Sequence, residues 1–291
     1  MLKISKISFP GLGIGEFSVQ SVAFTIKIGG ESFEIAWYAL IITLGIILAV
    51  AYLIWRAKPV GLTVDDIIDF VIFGVPSGII GARIYFVLSK IDQYDSFLEM
   101  INIRNGGIAI YGALIGGAIA VYVTSKVKKI PFLVIADCAT PGIILAQAIG
   151  RWGNFVNGEA FGTVTDIFCR MGLNNDNTGF HTLYVHPTFL YECLWNVLGF
   201  VLINVFYKKR QYDGQIFLAV FGWYGLGRAF IEGLRTDSLY TNLFGLEFRT
   251  SQVLAAIIFI ASATLLIYFA IKKPQKPLYH HVSTKKPKKE K

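Results

Sequence analysis

Seven separate apolar runs, each about the length of a membrane span, constrain the fold of this chain more than any other feature of its sequence. A helix needs about 20 apolar residues to cross a hydrocarbon core about 30 Å thick. With 54% hydrophobic and only 16% charged residues, the composition also departs from that of a soluble domain. The sequence therefore predicts an all-α polytopic integral membrane protein with about seven transmembrane helices. The predicted spans are Trp37 to Trp55, Ile67 to Leu88, Gly107 to Thr124, Phe132 to Gly150, Thr188 to Phe206, Gln215 to Ile231 and Val253 to Ile271.

The distribution of Lys and Arg predicts the orientation of these spans. Three alternate connections carry two or three basic residues each, and eight of the 27 Lys and Arg residues lie in the tail from Lys272 to Lys291. The connections on the opposite side carry fewer. By the positive-inside rule, we expect the N-terminus outside and the C-terminus in the cytoplasm. A tail beside anionic headgroups accounts for the net charge of +8, so the expected partners are membrane lipids and not nucleic acid.

The predicted membrane domain, residues 37–271, has appendages at both ends and one long internal connection. Residues 1–36 contain alternating segments such as Phe24 to Ile28, which predict a short hairpin or an arm on the membrane surface. The connection at 151–187 is expected to form a small extracytoplasmic head, and residues 272–291 form a basic cytoplasmic tail. The three cysteines show no CxxC pairing and no His at metal-ligand spacing, so neither a disulfide framework nor a metal site is predicted.

The most unusual polar stretch covers residues 150–162, with the sequence GRWGNFVNGEAFG. Polar side chains are costly where lipid surrounds the chain, so a polar cluster at the end of the fourth span indicates function. Arg151 offers a cationic fork, and Asn154 and Asn157 offer amides. Glu159 is an acceptor that could orient Arg151 or take a proton. A helix end that needs capping would explain the Asn and Gly residues, but not Arg and Glu together.

Two arginines inside predicted spans, Arg83 and Arg228, also need an explanation. A guanidinium at mid-bilayer costs about 2.5 to 3.5 kcal/mol and requires an anionic partner or a wet cavity. Tyr224, Arg228, Glu232 and Arg235 follow at spacings of four, four and three, which would place them on one helical face. Arg228 is therefore either a structural partner of Glu232 or a ligand for a phosphate diester, whose two oxygens suit a planar guanidinium.

Three further residues lie near the starts of predicted spans. Tyr111 lies beside Gly112 and Gly116, a small-xxx-small pair that favours close helix packing, and is either an interface anchor or a substrate ligand. His186 precedes the fifth span and is either a structural loop residue or a proton carrier. Tyr38 lies at the start of the first span, where an aromatic belt is expected in any case.

The stretch at 150–162 resembles the signature of the bacterial prolipoprotein diacylglyceryl transferases, Gly-Arg-x-Gly-Asn-Phe-x-Asn-x-Glu-x-x-Gly, at every fixed position. The resemblance covers most of the chain. It extends to Trp37-Tyr38, Gly81 to Arg83, Gly106 to Gly116, His186 to Glu192 and Tyr224 to Arg235.

This resemblance implies an enzyme of the bacterial cytoplasmic membrane with its active site toward the outer face. Such an enzyme moves the diacylglyceryl group of phosphatidylglycerol to the lipobox cysteine thiol of a prolipoprotein signal peptide, forming a thioether and releasing glycerol phosphate. No cofactor and no metal are expected. The catalytic residues expected from the motifs are Arg151, Arg228, Glu159, Tyr111 and His186. The expected substrate-binding residues are Tyr38, Asn154, Asn157, Gly162, Tyr224, Arg235 and Arg83.

One position departs from the family pattern. Many members have a histidine in the glycine-rich third span, often assigned as the base for the thiol, where this chain has Tyr111. A phenol has a pKa of about 10 and is ordinarily a poor base. Our hypothesis is that Arg151 and Arg228 clamp the lipid phosphate while the thiolate attacks the glycerol carbon. The thiol proton then goes to Glu159, to His186, to a tyrosinate or to water.

Two other classes of protein remain open from the sequence. A lipid transporter or scramblase would also use an arginine-lined cavity for anionic headgroups, although no inverted repeat is evident. A membrane anchor or assembly protein could use the basic tail as its contact, but arginines inside the spans would then have no purpose.

Overall fold

The computed structural model describes residues 4–94, 96–102, 106–238, 240–243, 246–273 and 278–280. The helices are α1 (Trp37–Ala57), α2 (Val64–Ser89), α3 (Phe97–Ile101), α4 (Ile110–Lys128), α5 (Phe132–Asn157), α6 (Thr188–Tyr207), α7 (Gln215–Ile231) and α8 (Thr250–Lys272). The strands are β1 (Ile4–Phe9), β2 (Ile14–Gln20), β3 (Val22–Ile28), β4 (Glu31–Ala36), β5 (Met171–Asn174), β6 (Leu183–Val185), β7 (Tyr240–Leu243) and β8 (Leu246–Arg249). The chain divides into two compact units. The first holds the described residues within 4–51 and 139–273, apart from 239 and 244–245, and the second holds those within 52–138 and 278–280, apart from 95 and 103–105.

Six helices of the described residues are long and apolar enough to cross a membrane, which confirms the expectation of a polytopic membrane protein. They are α1, α2, α4, α5, α6 and α8, and each coincides with one predicted span, although α4 begins at Ile110 and not at Gly107. The remaining predicted span coincides with α7, whose 17 residues lead into a 3₁₀ turn at Glu232–Leu234. The expected all-α class is incomplete, because short strands form beside the helices.

In the second unit, α2 and α4 pack through glycines. A Cβ atom on Gly81 would collide with the carbonyl oxygen of Gly112, and one on Gly116 would collide with that of Ser77. The backbones of the two helices therefore lie in direct contact. This arrangement confirms the close-packing prediction for Gly112 and Gly116.

The other ends of α2 and α4 are joined by charge. Thr63 caps α2, because its Oγ1 accepts a hydrogen bond from the Asp66 amide at 3.2 Å, while Asp66 Oδ2 accepts one from the Thr63 amide at 3.0 Å. Lys128, the last residue of α4, lies 2.8 Å from Asp66 Oδ1 and 2.6 Å from Asp69 Oδ2. A cation at the end of one helix thus meets the acidic first turn of the other, as the helix dipoles favour.

In the first unit, short strands build a small head. Strands β2, β1, β5 and β6 form one antiparallel sheet in that order. Its core buries Ile7, Leu173 and Val185 against Phe189 of α6. Strands β3 and β4 form a separate hairpin in the region where the sequence predicted one, with Ile26 opposite Phe33. The pairing of β1 with β5 joins the N-terminal region to the connection after α5, a contact that the sequence did not indicate.

Two tryptophans join helices α6 and α7, because each donates a hydrogen bond to the backbone carbonyl of the other. The indole N–H of Trp195 donates to the Trp223 carbonyl at 3.0 Å, and that of Trp223 donates to the Trp195 carbonyl at 2.9 Å. The rings stack with centroids 4.3 Å apart. Each indole lies against a glycine of the opposite helix, Gly199 or Gly227, where a Cβ atom would overlap the indole nitrogen. We call these four residues the tryptophan clasp.

Candidate active site

The polar stretch found in the sequence forms the last turns of α5 and the loop that follows. The helix continues beyond its predicted end to Asn157 and stops at Gly158, which has a φ of +60° and donates its amide to the Phe155 carbonyl at 3.1 Å. The Gly158 carbonyl accepts hydrogen bonds from the side-chain amides of Asn175 at 2.9 Å and Asn177 at 3.0 Å. These bonds attach the end of α5 to the head.

Within this stretch, the predicted residues form a chain of hydrogen bonds. Arg151 Nη1 donates to Asn154 Oδ1 at 3.3 Å, and Asn154 Nδ2 donates to Glu159 Oε1 at 3.1 Å. Asn157 Nδ2 donates to the same Glu159 oxygen at 3.2 Å. Glu159 is exposed, and it is linked to Arg151 through Asn154.

Glu192 on α6 lies at the centre of three arginines, which we call the arginine cluster (Arg151, Arg228 and Arg235 around Glu192). Its Oε2 forms an ion pair with Arg151 Nη2. Its Oε1 lies 3.1 Å from Arg228 Nη1 and 3.4 Å from Arg235 Nη1. Glu192 is only 5% exposed, so these contacts form in a site from which water is largely excluded.

Two more carboxylates flank the arginine cluster. Arg228 Nη2 lies 2.6 Å from Glu232 Oε2, an ion pair at the fully buried start of the 3₁₀ turn. Arg235 donates from Nε and Nη2 to the two oxygens of Asp237 at 2.9 and 2.7 Å, a bidentate pair. Burial alone would raise the pKa of Asp237, but these two hydrogen bonds hold it below its ordinary value. The three arginines are thus matched by three carboxylates.

The structure brings Arg235 to the cluster by a different route from the one predicted. The α-helix ends at Ile231, so its face includes Tyr224 and Arg228, and Glu232 follows as the C-cap and first residue of the 3₁₀ turn. Arg235 instead forms an isolated β-bridge with Gly162. The motif at the end of α5 and the segment after α7 therefore meet through their backbones.

Gly162 lies where no side chain fits. A Cβ atom there would lie 2.6 Å from the Cβ of His186 and 3.1 Å from the Leu234 carbonyl oxygen. Gly153 is similar, since its Cβ would lie 2.5 Å from the ring of Tyr38. Both glycines allow close approach of neighbouring groups to the end of α5.

His186 lies at the end of β6, with its imidazole facing α6. Its Nδ1 lies 3.2 Å from the Tyr191 hydroxyl, which in turn lies 3.7 Å from the sulfur of Cys169. The His186 carbonyl accepts the Gly162 amide at 3.0 Å. Burial lowers the pKa of His186, so its ring is neutral at pH 7.

Arg83 and Tyr111 belong to the second unit. Arg83 donates to four backbone carbonyls, those of Glu99, Met100, Gly106 and Gly107, at 2.7 to 2.8 Å. These hydrogen bonds offset the free-energy cost of a guanidinium group inside a predicted span. They also attach the segment before α4 to α2. The Tyr111 ring packs against that of Tyr85, with centroids 6.2 Å apart. A substrate-binding role for Arg83 and a catalytic role for Tyr111 stay predictions.

Glu192 and Asp237 were not among the site residues predicted from the sequence. The signal for Glu192 was present, because a carboxylate at position 192 falls inside the predicted span from Thr188 to Phe206. The cost that singled out Arg228 applies equally to this residue. Asp237 lies in a connection, where a carboxylate is ordinary, and only the folded chain connects it with Arg235.

These features define a multi-pass membrane protein with a buried arginine cluster next to an ordered head, an arrangement suited to an anionic lipid headgroup. The sequence profile of the prolipoprotein diacylglyceryl transferase family matches residues 22–268. The chain belongs to this family, which confirms the resemblance found in its motifs.

Curated relatives agree with this assignment over nearly the whole chain. A phosphatidylglycerol–prolipoprotein diacylglyceryl transferase of Enterococcus faecalis is 42% identical over 279 residues, covering 92% of this chain and 96% of the relative. Proteins of the same name from Listeria innocua and Clostridium perfringens are 41% and 42% identical, each over 90% of this chain and over 94% and 99% of their own lengths.

Proposed function

We propose that this chain transfers the diacylglyceryl group of phosphatidylglycerol to a cysteine thiol of a prolipoprotein, the first step of lipoprotein maturation. The products are a thioether-linked lipid and glycerol phosphate. Family membership and the names of the relatives support this activity. The observation that carries it is the arginine cluster, because several guanidinium groups in one buried site suit a phosphate diester.

In the proposed reaction, Arg151 and Arg228 bind the phosphate oxygens of phosphatidylglycerol. The thiolate sulfur attacks the glycerol carbon, so a carbon–sulfur bond forms and the carbon–oxygen bond to the phosphate breaks. Glycerol phosphate leaves with the electron pair of that bond and gains negative charge. Guanidinium groups fixed in a site of low dielectric stabilise this charge as it develops.

His186 takes the thiol proton in this proposal. Its lowered pKa leaves the ring neutral and able to accept a proton at pH 7. Its backbone carbonyl accepts a hydrogen bond from the amide of Gly162, which is the β-bridge partner of Arg235. Glu159, the alternative carboxylate, already accepts two amide hydrogen bonds and is better placed to position Asn154. A phenol such as that of Tyr111 would first have to ionise.

The remaining predicted residues have supporting or binding roles in this proposal, each within its own unit. Gly162 permits the close packing of His186, and Arg83 fixes the segment that leads to Tyr111. The residues proposed to contact substrate beside the two clamping arginines are Tyr38, Asn154, Asn157, Tyr224 and Arg235.

The proposed location is the bacterial cytoplasmic membrane, with seven spans, the N-terminus outside and the basic tail inside. Helix α7 would supply the seventh span, since 17 residues extend about 26 Å. The head and the arginine cluster would then lie toward the outer face, where prolipoproteins arrive during secretion.

The direct test uses the purified full-length chain, phosphatidylglycerol vesicles and a synthetic peptide with a lipobox cysteine. Mass spectrometry should find a peptide heavier by one diacylglyceryl group, together with free glycerol phosphate. A peptide whose cysteine is replaced by serine is the matched control and should gain nothing. No mass gain, with movement of lipid between leaflets instead, would contradict the transferase and favour the transporter.

The phosphate clamp is tested with Arg151→Lys and Arg228→Lys. Lysine keeps the charge but loses the planar fork, so kcat/KM should fall by about 10²-fold or more in each variant. Arg170→Lys in the head is the matched control, since this arginine donates hydrogen bonds to carbonyls of its own loop and lies over the ring of Tyr184, away from the arginine cluster. Near-normal rates in both clamp variants would refute the assigned roles.

A further inference from the structure

The two guanidinium groups that would bind phosphate, those of Arg151 and Arg228, both contact one carboxylate of the protein itself. Arg151 uses Nη2 for Glu192 and Nη1 for Asn154. Arg228 uses Nη1 for Glu192 and Nη2 for Glu232. An anion that binds Arg151 and Arg228 together must therefore share these donors with Glu192 or displace it.

A phosphate diester can take the place of Glu192 at Arg151 and Arg228. Both are monoanions that present two oxygens to an arginine, so the replacement leaves neither of these two guanidinium groups unpaired. Arg235 provides a position to which the displaced carboxylate can remain bonded, because it already lies 3.4 Å from Glu192. Lipid phosphate binds only the fraction of protein in which Arg151 and Arg228 have separated from Glu192. The free energy of this separation therefore lowers the apparent affinity for the lipid.

The product differs from the substrate in charge. A phosphate monoester has a second pKa of about 6 and is largely dianionic at pH 7. Three carboxylates already match the three arginines, so the dianion adds one more uncompensated negative charge to the site than the diester does. Return of Glu192 to Arg151 and Arg228 would therefore displace glycerol phosphate.

We propose that Glu192 is an internal anion that competes with phosphate for Arg151 and Arg228 and drives release of the glycerol phosphate product. This role makes Glu192 a positioning residue, which acts on the substrate through the arginines, and it rests on the proposed transferase function. The alternative is that Glu192 is a purely structural counter-ion that holds the three arginines in place. Its loss would then weaken, and not strengthen, the binding of phosphate to the cluster.

The test is Glu192→Gln in the full-length chain, measured with the peptide assay. Glutamine keeps an acceptor oxygen for the arginines but removes the competing charge. The inhibition constant of added glycerol phosphate should fall by about tenfold or more, because one charge-assisted competitor is gone. The KM for phosphatidylglycerol should fall with it, and kcat should fall because product leaves more slowly.

Asp237→Asn is the matched control. It changes the net charge of the site by the same amount, but Asp237 pairs with Arg235 and is half exposed. If net charge alone mattered, both variants would tighten glycerol phosphate binding equally, and the inference would be wrong. We expect a shift of less than about threefold in Asp237→Asn, as for an exposed ion pair.

A second variant covers the case in which Glu192→Gln does not fold. Glu192→Asp keeps the charge but shortens the side chain, so it should bind the arginines less well and tighten glycerol phosphate inhibition to an intermediate degree. An inhibition constant that is unchanged or higher in the folded variant overturns the role of Glu192. The proposed function is judged separately, by whether the unaltered chain modifies the peptide at all.

Discussion

At the scale of single residues, His186 gives the clearest pH prediction. Burial lowers its pKa, so the neutral ring that can accept a proton persists to a pH below the ordinary value of about 6.5. As the pH falls through the lowered pKa, the ring becomes protonated and kcat/KM should decline. His186→Gln should lose this acid limb and reduce kcat/KM by about 10²-fold.

Tyr111→Phe is the comparison for His186, because it removes the phenol and keeps the ring that packs on Tyr85. We expect it to retain the acid limb and most of the activity. The opposite pattern, with a normal pH profile in His186→Gln and loss of activity in Tyr111→Phe, would assign the proton to the phenol.

The sequence could identify those site residues whose side chain is costly in its own apolar segment, whatever its partners in the fold. A guanidinium at position 151 or 228 is anomalous in an apolar chain wherever its partners lie, and Glu192 could have been found by the same argument. The requirement for glycine at 162 could not be derived in this way. It arises from His186 and Leu234, which approach from other segments.

At the scale of elements, the tryptophan clasp should set the register between α6 and α7, and thereby place Glu192 opposite Arg228. Trp195→Phe removes one indole N–H and should lower the free energy of unfolding by about 1 kcal/mol. It should also abolish the exciton couplet that two stacked indoles give in circular dichroism. If the register sets the ion pair, kcat should fall while the chain still inserts.

Trp223→Phe should reproduce these changes, because the two tryptophans act reciprocally. Trp55→Phe is the matched control, since that exposed indole lies over Arg56 and outside the clasp. A couplet that survives in both clasp variants, or full activity without it, would contradict a role for the clasp in the register.

Helices and strands differed in how far sequence could predict them. Each of the six candidate spanning helices contains a long and mainly apolar stretch, so its position follows from local composition. The head sheet depends on β1 meeting β5, with Lys6 opposite Asn174, and no local pattern specifies such a distant partner. The sequence did not predict the extension of α5 from Gly150 to Asn157, because polar residues at the end of a span are also typical of a loop.

At the scale of the whole molecule, backbone pairings constrain the topology independently of the positive-inside rule. The bridge between Gly162 and Arg235 places the segment before α6 and the segment after α7 on the same side of the membrane. If α6 crosses, as we propose, then α7 must cross back, although it has only 17 residues. Helix α8 would then take the tail to the side opposite the head.

The proposed topology predicts which positions a membrane-impermeant thiol reagent reaches in intact cells, in a Cys169→Ser background where the other two cysteines are buried. Thr236→Cys, after α7, should react from outside because it adjoins the bridged segment. Lys209→Cys, between α6 and α7, should react only after the membrane is opened. If Thr236→Cys is protected like Lys209→Cys, then α7 does not cross and the chain has six spans. The tail would then lie on the head side, against the charge rule, because a single crossing by α8 would return the chain there.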